Sequence, residues 1–588
     1  MSPVARGDSV SIPWMIWGLV VPLIVYAAGM VDVLTLAQIP FDSEHTYLPL
    51  AQRLLEDAPG VWRDPDFYKV APGAVVYMAL ADADPVTIKT MNLAISLAAL
   101  VLSFDAARRI GGVVAASAAA WLYALPSMLS DTGATLLGES PFIFLVALWL
   151  WGTAVAAGPH TSPRAARWRN GAVLLAGLAL AAATLTRATY MYWIPFAAVA
   201  FSAASLRLQG PSRAAAARIA AVHLIAAVLV GAYMVRQNEA FGRPIVATGS
   251  GAALYFGSNP VLFGYEPPFF GLGHDASLVT GDQGHLSLEG DQRLVAVTKA
   301  MLADLPTGAL LKMYVRKLGA ILFFSRAHLD RQVMNDRAWR VVLVLLSVLG
   351  LWGARRHPLL WMVGGAAAYQ CAVHVPVLYN PRYSISALDV LFVLLAAQGA
   401  AWLWSRPRRG MAVSCAGLAI AGGIALGNYH QHHSRPLLPD FRYIPPLLLQ
   451  AAQPSELSVS GWDGDPFAAQ ASMPTGTATV EWAVGGFQDS LFTMVHLGMP
   501  RFEGRCETLR LTHLRSDGAQ RSTLVSLEGL RQGQDINWGL IHLMLPGTGS
   551  SRLRLEFECD AGTRMQFDGM GFYQASPGRH YLQRALHP

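Results

Sequence analysis

Two acidic residues follow the first long apolar run of the chain, which extends from Trp14 to about Leu36. The next segment reads FDSEHTYLPLAQRL, so Asp42 and Glu44 lie where that run leaves a membrane. A carboxylate beside hydrocarbon is costly to keep charged, and acids at such a boundary therefore tend to be retained for a task. In this position a carboxylate has the chemistry of a general base that takes a proton from a hydroxyl group. The alternative is that both acids cap the helix predicted to begin near Thr46.

The composition is that of an integral membrane protein. Of the 588 residues, 53% are hydrophobic and only 14% are charged, and the mean hydropathy is +0.36. A soluble protein carries about 25% charged residues, so a soluble globular class is excluded. The net charge of +6 comes mostly from arginines in short loops between apolar runs, which indicates membrane topology rather than nucleic-acid binding.

The apolar runs predict about eleven membrane spans of about 20 residues each. They begin near Trp14, Thr87, Val113, Gly138, Gly171, Tyr190, Ile219, Ala338, Leu359, Ser384 and Met411. Arginines are concentrated in alternate loops, which places those loops and the N-terminus in the cytoplasm and the C-terminus outside. The bacterial inner membrane is the expected location. We therefore predict a membrane domain over residues 1–428, with external loops at about 40–85 and 236–337.

Residues 306–324 are apolar enough to resemble a further span, but they contain Lys312, Arg316 and Lys317. A span here would also move the arginines that follow it to the outside. We predict an interfacial helix whose basic side chains reach the lipid headgroups.

The C-terminal part, residues 429–588, has a different periodicity. Segments such as TATVEWAV and RLRLEFEC alternate apolar and polar residues and are separated by Gly, Pro, Asp and Ser. About eight such segments predict an external β-sandwich of jelly-roll type. Domains of this type either bind carbohydrate or serve as a structural cap, and both alternatives stay open. Cys506 and Cys559 lie in this part and can pair if it faces an oxidising compartment.

Four patterns occur in one order along roughly the first 410 residues: FDSEHTYLPLA, LPSMLSDTGATLLGESPFIFL, TLTRATYMYWIP, and RQNEAFGRPIVATGSGAALYFGSNP followed later by YNPRYSISALDVLFVLLAA. Together they resemble the GT-C superfamily of membrane glycosyltransferases, in particular its protein-O-mannosyltransferase and aminoarabinose-transferase branch. That family often has an Asp-Glu pair before a tyrosine, whereas here Asp42 precedes Ser43, Glu44 and Tyr47. The departure leaves open which of the two acids is the base.

The resemblance implies a polyprenyl-phosphate sugar donor that is used on the external membrane face with inversion at the anomeric carbon. The acceptor is a hydroxyl, amine or phosphate group of a lipid, a glycan or a protein. A departing phosphate requires positive charge to stabilise it, and the acceptor requires one carboxylate base. No cofactor is assigned, no metal-binding residue is predicted, and a divalent metal ion stays open.

We expect Asp42 to be the base, with Glu44 as the alternative, and Glu139 and Tyr47 to orient the acceptor. Glu139 opens a predicted span, where an acid is also favoured by the helix dipole alone. The donor phosphate is assigned to Arg187, Arg382, Lys312, Arg316, Lys317 and Tyr383. The alternatives are that the basic side chains only reach toward headgroups and that Tyr383 belongs to an interfacial aromatic belt.

Asp389 lies inside a predicted span, and we expect it to pair with a cation of the helix bundle. Three other functions compete with the main hypothesis. The first is an arabinofuranosyltransferase or glycan polymerase of the same superfamily. The others are a lipid-linked-sugar transporter or flippase, and a non-catalytic scaffold that displays the C-terminal domain. A transporter should show internal repeats, and none is visible.

Overall fold

The protein is described by a computed structural model. It describes residues 12–35, 39–40, 42–64, 67–158, 163–258, 280, 284, 286–304, 307–324, 331–353, 357–406, 449–452, 455–483, 492–498, 501–515, 520–526, 540–546, 550–566 and 570–575. The chain divides into two compact units. The first comprises Met1–Gly249 and Tyr314–Arg435, and the second comprises Ser250–Met313 and Pro436–Pro588. The boundary at residue 428, drawn from the sequence, stays a prediction.

The α-helices are, in chain order, α1 (Ile12–Met15), α2 (Val21–Thr35), α3 (Leu48–Glu56), α4 (Ala58–Val61), α5 (Pro72–Ala79), α6 (Pro85–Ala124), α7 (Ser127–Ala134), α8 (Glu139–Ala157), α9 (Pro163–Thr186), α10 (Trp193–Arg207), α11 (Gly210–Phe241), α12 (Ser250–Gly257), α13 (Leu288–Asp304), α14 (Thr307–Phe323), α15 (Arg331–Gly353), α16 (Pro358–His374) and α17 (Pro381–Trp404). Two π-helical turns, Ile16–Val20 and Ser43–Tyr47, and two 3-10 turns, Phe67–Lys69 and Ala188–Tyr190, connect them.

Among the described residues, seven helices are long and apolar enough to cross a membrane, which makes this a multi-pass membrane protein. Their spans are Ile12–Val31, Pro85–Ala124, Glu139–Ala157, Arg167–Thr186, Ala188–Arg207, Gly210–Phe241 and Pro381–Trp404. The predicted spans at Thr87 and Val113 are the two parts of α6, which breaks at Gly112, where φ is 79°. A glycine adopts this conformation without a steric penalty. The apolar part of α15, Trp339–Gly353, is shorter than a full span, and the span predicted from Met411 lies outside the described residues.

Helix α17 lies at the centre of the first unit and packs against α6 and α15. Glycines allow the close crossing with α15. A methyl group added to Gly399 would lie 2.1 Å from the carbonyl oxygen of Leu346, and one added to Gly350 would lie 2.0 Å from that of Leu395. Small residues at such crossings let two helix backbones touch. The contact fixes α17, whose N-terminal turn carries Arg382.

A cluster of buried apolar side chains fixes the segment that contains Asp42 and Glu44. Leu48 and Leu50 pack with Val75 and Leu136 among the buried side chains of this cluster. Ser43 is fully buried, and its hydroxyl donates a hydrogen bond to the carbonyl oxygen of Leu136. The position of Asp42 is therefore set by the residues that follow it.

The second unit contains α12, α13 and antiparallel β-sheets. The strands are β1 (Leu449–Ala452), β2 (Ser455–Ser460), β3 (Ala471–Met473), β4 (Thr477–Ala483), β5 (Phe492–Gly498), β6 (Arg501–Glu503), β7 (Cys506–Arg515), β8 (Gln520–Ser526), β9 (Leu540–Pro546), β10 (Ser550–Cys559), β11 (Thr563–Gln566) and β12 (Met570–Ala575). The strand orders are β1-β12-β5-β9, β2-β4-β10-β7-β8 and β3-β11-β6. Each of the alternating segments of the sequence contains a strand.

The alternation of the sequence explains the two faces of the five-stranded sheet. Val480 and Trp482 on β4 are buried together with Leu555 and Phe557 on β10, while the residues between them face away. Cys506 and Cys559, opposite each other on β7 and β10, form a disulfide bond.

Candidate functional site

Four elements of the first unit bring the predicted site residues together. Asp42 precedes the π-helical turn, Glu139 is the first residue of α8, Arg187 follows α9 directly, and Arg382 lies in the first turn of α17. Each is therefore at an end of a helical segment. Side chains from parts of the chain that are far apart in sequence meet at one point.

The start of α17 is set by its own sequence. Pro381 occupies the first turn, where a proline needs no backbone donor. The side chain of Asn380 accepts a hydrogen bond from the backbone N–H of Arg382 at 2.9 Å, as a helix N-cap does. The two residues fix where the helix begins and orient the side chain of Arg382.

Glu139 is the buried centre of an ion-pair network. Its Oε1 lies 2.8 Å from Nη1 of Arg187 and 3.8 Å from Nε of Arg382, and only 7% of its side chain is exposed. Arg187 also donates to the hydroxyl of Ser386 on α17 at 3.3 Å. Because a buried carboxylate requires a charged partner, Glu139 holds the two guanidinium groups together.

Asp42 is the exposed member of the network. Its Oδ2 lies 3.3 Å from Nη2 of Arg382, with 52% of its side chain exposed against 29% for the arginine. Asp42 precedes the turn Ser43–Tyr47 but makes no capping hydrogen bond to it. Its carboxylate is thus accessible to a ligand while it contacts one cation.

The ring of Tyr383 lies beside both arginines. The Cζ atoms of Arg187 and Arg382 are 4.9 Å and 5.1 Å from its ring centre, and Arg382 donates to its hydroxyl at 3.2 Å. A guanidinium at this distance from an aromatic ring is stabilised by the cation–π interaction. Tyr383 therefore packs within the cluster and fixes the spacing of the two positive groups.

Tyr47 and Glu44, on the same turn as Ser43, differ in their surroundings. Tyr47 is half-buried, and burial, with a further contribution from the Glu139 carboxylate, raises its pKa to about 12. Its hydroxyl therefore keeps its proton at neutral pH and can donate a hydrogen bond. Glu44 is exposed, and within the described part of the chain its side chain forms no ion pair or hydrogen bond.

The remaining basic residues of the predicted phosphate site lie on α14. Lys312 is exposed and belongs to the second unit, and the side chain of Arg316 lies outside the described residues. Lys317 is fully buried and donates to the carbonyl oxygen of Val377. Burial lowers its pKa to about 7. Asp42, Glu139, Arg187, Arg382 and Tyr383 thus lie together in one cluster, with Tyr47 beside them.

Sequence reasoning missed Arg340. This side chain is buried on α15 and forms an ion pair with Asp389 of α17. Arg340 is thus the cationic partner of Asp389 that the sequence alone does not identify. The available signal was an arginine just inside an apolar run, together with an acid inside another run. Among the described residues there is no group of three or more His, Cys, Asp or Glu side chains arranged to hold a metal ion.

No protein-family model matches the chain, and no curated protein matches it. Among solved structures it is similar to the archaeal oligosaccharyltransferase AglB from Archaeoglobus fulgidus in complex with an inhibitory peptide and a dolichol-phosphate. The identity is 12% and the TM-score 0.40, over 72% of this chain and 56% of that chain. The chain thus spans little more than half the length of that protein.

A second similar structure is ArnT from Cupriavidus metallidurans bound to undecaprenyl phosphate. The identity is 17% and the TM-score 0.29, over 68% of this chain and 79% of that chain. Since the TM-scores are 0.40 or lower, the function proposed below rests on the side chains of this protein.

Proposed function

We propose that the protein is an inverting glycosyltransferase that moves a sugar from a polyprenyl-phosphate donor to an acceptor hydroxyl at the external face of a membrane. The observation that carries the proposal is the cluster in which an exposed carboxylate, Asp42, lies 3.3 Å from Arg382, while Arg382 and Arg187 share the buried Glu139. A carboxylate base and a pair of guanidinium groups are what transfer from a phosphate leaving group requires.

The donor phosphate binds to Arg382 and Arg187. Arg187 is held by a 2.8 Å ion pair to the buried Glu139, whereas the ion pairs of Arg382 to Asp42 and Glu139 are longer, at 3.3 Å and 3.8 Å. The Arg382 side chain is also more exposed, at 29% against 19% for Arg187. Arg382 is therefore the arginine that turns toward an incoming phosphate, to which a guanidinium can bind through two parallel hydrogen bonds.

The binding of the phosphate also prepares the base. While Arg382 pairs with Asp42, their 3.3 Å contact occupies the carboxylate. When Arg382 turns to the phosphate, Asp42 loses that contact. Its exposed carboxylate can then accept a hydrogen bond from the acceptor hydroxyl.

In the transfer step the acceptor oxygen attacks the anomeric carbon on the face opposite the phosphate, and Asp42 removes the hydroxyl proton. The bond between the anomeric carbon and the phosphate oxygen breaks, and its electron pair leaves with the polyprenyl phosphate. Arg187 and Arg382 stabilise the charge that develops on the leaving group. The single displacement inverts the anomeric configuration.

We place the site on the extracytoplasmic side of a bacterial inner membrane, with the N-terminus in the cytoplasm. The disulfide bond Cys506–Cys559 supports this orientation, because disulfide bonds persist in oxidising compartments. In this arrangement residues 1–428 form the catalytic membrane domain, and the jelly-roll-like domain over 429–588 lies outside. The sugar and the acceptor belong to this proposal only as classes.

The test has two parts. Mass spectrometry of lipid that co-purifies with the protein should detect a polyprenyl-phosphate monosaccharide. Undecaprenyl phosphate should bind to the unaltered protein and to Asp42→Asn, and Arg382→Gln should bind it at least about tenfold more weakly. Arg207→Gln, at the exposed end of α10, is the matched control and should bind it normally.

Equal binding by Arg382→Gln and the unaltered protein would overturn the phosphate site. The competing functions predict different outcomes for Asp42→Asn. A transporter would still move labelled lipid-linked sugar into vesicles after this substitution, and a scaffold would be unaffected by it. An enzyme should lose turnover and keep donor binding.

A second candidate function, glycan binding by the C-terminal domain, is favoured by a groove on the five-stranded sheet. The groove has a volume of about 460 Å³, within the range of small-molecule sites, roughly 300–1,000 Å³. Its lining includes Ser460, Thr475, Thr477, Thr479, Thr508, Arg510, Glu556 and Glu558. Hydroxyl and carboxylate groups are the partners that sugar hydroxyls prefer.

Glu558 is the residue to alter. It accepts a hydrogen bond from Thr508 at 2.9 Å, and within the described residues it forms no ion pair. Titration of the intact protein with chitohexaose and maltohexaose by calorimetry should show binding of at least one, and Glu558→Gln should weaken it. The absence of binding to both oligosaccharides would favour a purely structural domain.

A further inference from the structure

Arg340, on α15, contacts the end of α14 and the N-terminal half of α17 in the first unit. Its guanidinium forms the ion pair with Asp389, and its Nη2 donates to the hydroxyl of Ser384 at 2.9 Å. Its Nε donates to the carbonyl oxygen of Leu322 at 3.2 Å, and Nη2 also contacts that of Ile321 at 3.4 Å. Only 2% of the Arg340 side chain is exposed. The planar, five-donor geometry of arginine makes these simultaneous contacts possible.

Two of these contacts hold the end of α14. The last carbonyl groups of a helix have no partner within it, and Arg340 supplies donors for those of Ile321 and Leu322. The next residue after α14, Phe324, has a φ of 59°, and its ring centre lies 5.1 Å from Cζ of Arg340. Arg340 therefore caps the C-terminal end of α14.

The other contacts hold the start of α17. Ser384 follows Arg382 and Tyr383 directly, and its hydroxyl also donates to the carbonyl oxygen of Ile321 at 2.6 Å. Asp389 lies on the same helix a little farther along. Because Arg340 contacts both, it fixes the turn from which Arg382 and Tyr383 extend.

Asp336, one helical turn before Arg340 on α15, contacts the N-terminus of α7. Its Oδ2 accepts hydrogen bonds from the backbone N–H of Met128 at 2.7 Å and from the hydroxyl of Ser127 at 3.2 Å. It thus caps the N-terminus of α7. The chain leads from α7 to Leu136, which holds Ser43 beside Asp42.

We propose that Arg340 is a positioning residue, which together with Asp389 and Asp336 sets the distance between the acidic segment at Asp42 and the arginine-bearing turn of α17. The inference rests on the proposed function, since Arg340 would fix the position of the base, Asp42, relative to the phosphate-binding Arg382. Asp336 and Arg340, one turn apart on α15, connect this helix to α7 through Asp336 and to α14 and α17 through Arg340. A loss of one contact should loosen the turn without dissolving the bundle.

The test compares three variants of the full-length protein. Arg340→Lys keeps the charge and loses the planar fork. The double variant Arg340→Met with Asp389→Leu removes both charges together, and it guards against a misfolded single variant, because a lone buried charge is strongly destabilising. Ser347→Ala is the matched control. It removes another α15–α17 contact, a 3.0 Å hydrogen bond from Ser347 to the carbonyl oxygen of Phe392, about two turns farther from the site.

Two measurements are made on each variant, namely amide hydrogen exchange of residues 380–386 and the affinity for undecaprenyl phosphate. Arg340→Lys and the double variant should exchange at least about tenfold faster in this segment and bind undecaprenyl phosphate at least about tenfold more weakly. Their unfolding temperatures in detergent should stay near that of the unaltered protein. Ser347→Ala should change neither exchange nor affinity.

Unchanged exchange in both Arg340 variants would overturn the inference, and so would faster exchange with unchanged affinity. A failure of the unaltered protein to bind undecaprenyl phosphate would instead overturn the proposed function. The two failures are distinguishable, because exchange of residues 380–386 is measured without any ligand.

Discussion

The substitution Asp42→Asn separates catalysis from stability. Within the described residues Asp42 makes one ion pair, at 3.3 Å to Arg382, and about half of its side chain is exposed. An exposed pair of this kind contributes about 0.2–1 kcal/mol to stability. We therefore expect Asp42→Asn to lower the free energy of unfolding by about 1 kcal/mol at most.

The expected effect on turnover is much larger. A positioned general base contributes about 10²–10⁴-fold to the rate, which corresponds to about 3–5 kcal/mol of activation free energy at about 1.4 kcal/mol for each factor of ten. The two effects differ by several-fold in energy. A loss of activity of this size cannot be explained by a small loss of folded protein.

The assay measures initial rates at saturating donor, with the polyprenyl-phosphate sugar identified in the co-purifying lipid. Glu44→Gln is the matched control, because Glu44 lies two residues after Asp42 and its side chain is also exposed. We expect it to change turnover by less than about threefold. The donor affinity of Asp42→Asn should equal or exceed that of the unaltered protein, since Arg382 no longer has to break an ion pair with Asp42 to bind the phosphate.

Two results would refute this reasoning. If Asp42→Asn keeps turnover within about threefold of the unaltered protein while Glu44→Gln loses about a hundredfold or more, Glu44 is the base. If both variants keep full turnover, neither carboxylate takes the proton, and the exposed position of Asp42 has another cause.

Three further predictions concern other parts of the molecule. Arg187→Lys should raise the donor KM about tenfold with a smaller effect on kcat, as measured by donor titration, because an ammonium group cannot reproduce the fork that contacts Glu139. Gly399→Ala should cost about 1–3 kcal/mol and lower the unfolding temperature in detergent, since the added methyl group meets a backbone carbonyl, whereas Gly231→Ala, which meets nothing within 4 Å, should not. Burial alone would raise the pKa of Glu481, but Arg554 and Arg552 lower it below its usual value. The stability that this carboxylate supplies to the C-terminal domain is therefore present above its unfolded pKa of about 4.3 and is lost as the pH falls through the folded pKa. In limited proteolysis across acidic pH, the cleavage rate of Glu481→Gln should depend less on pH than that of the unaltered protein.

The sequence singles out those members of the candidate cluster that lie at element boundaries. Arg187 and Arg382 stand out because each lies at the predicted outer end of an apolar run, where positive charge is disfavoured by topology. Asp42 stands out for its place after the first run. These signals are local, and the structure brings all three residues into one network.

The parts that the sequence did not predict depend on long-range packing. Arg340 and Asp389 are 49 positions apart, on α15 and α17, and no local pattern joins them. The sequence assigns Lys317 to the donor phosphate, with the lipid headgroups as the alternative, but its side chain is buried and donates to the carbonyl oxygen of Val377. Which face of α14 is covered depends on neighbours that periodicity does not identify.

The different burial of two carboxylates explains why one is proposed as base and the other as anchor. Glu139 and Asp42 contact the same arginine, yet the side chain of Glu139 is 7% exposed and that of Asp42 is 52% exposed. A buried carboxylate between two guanidinium groups is held in place, because its movement would leave both cations without their partner. Asp42 is exposed and contacts Arg382 at 3.3 Å, so it can give up this contact to a phosphate and remain solvated. In the proposed reaction Glu139 therefore keeps the two arginines in place, and the accessible Asp42 takes the proton of the acceptor.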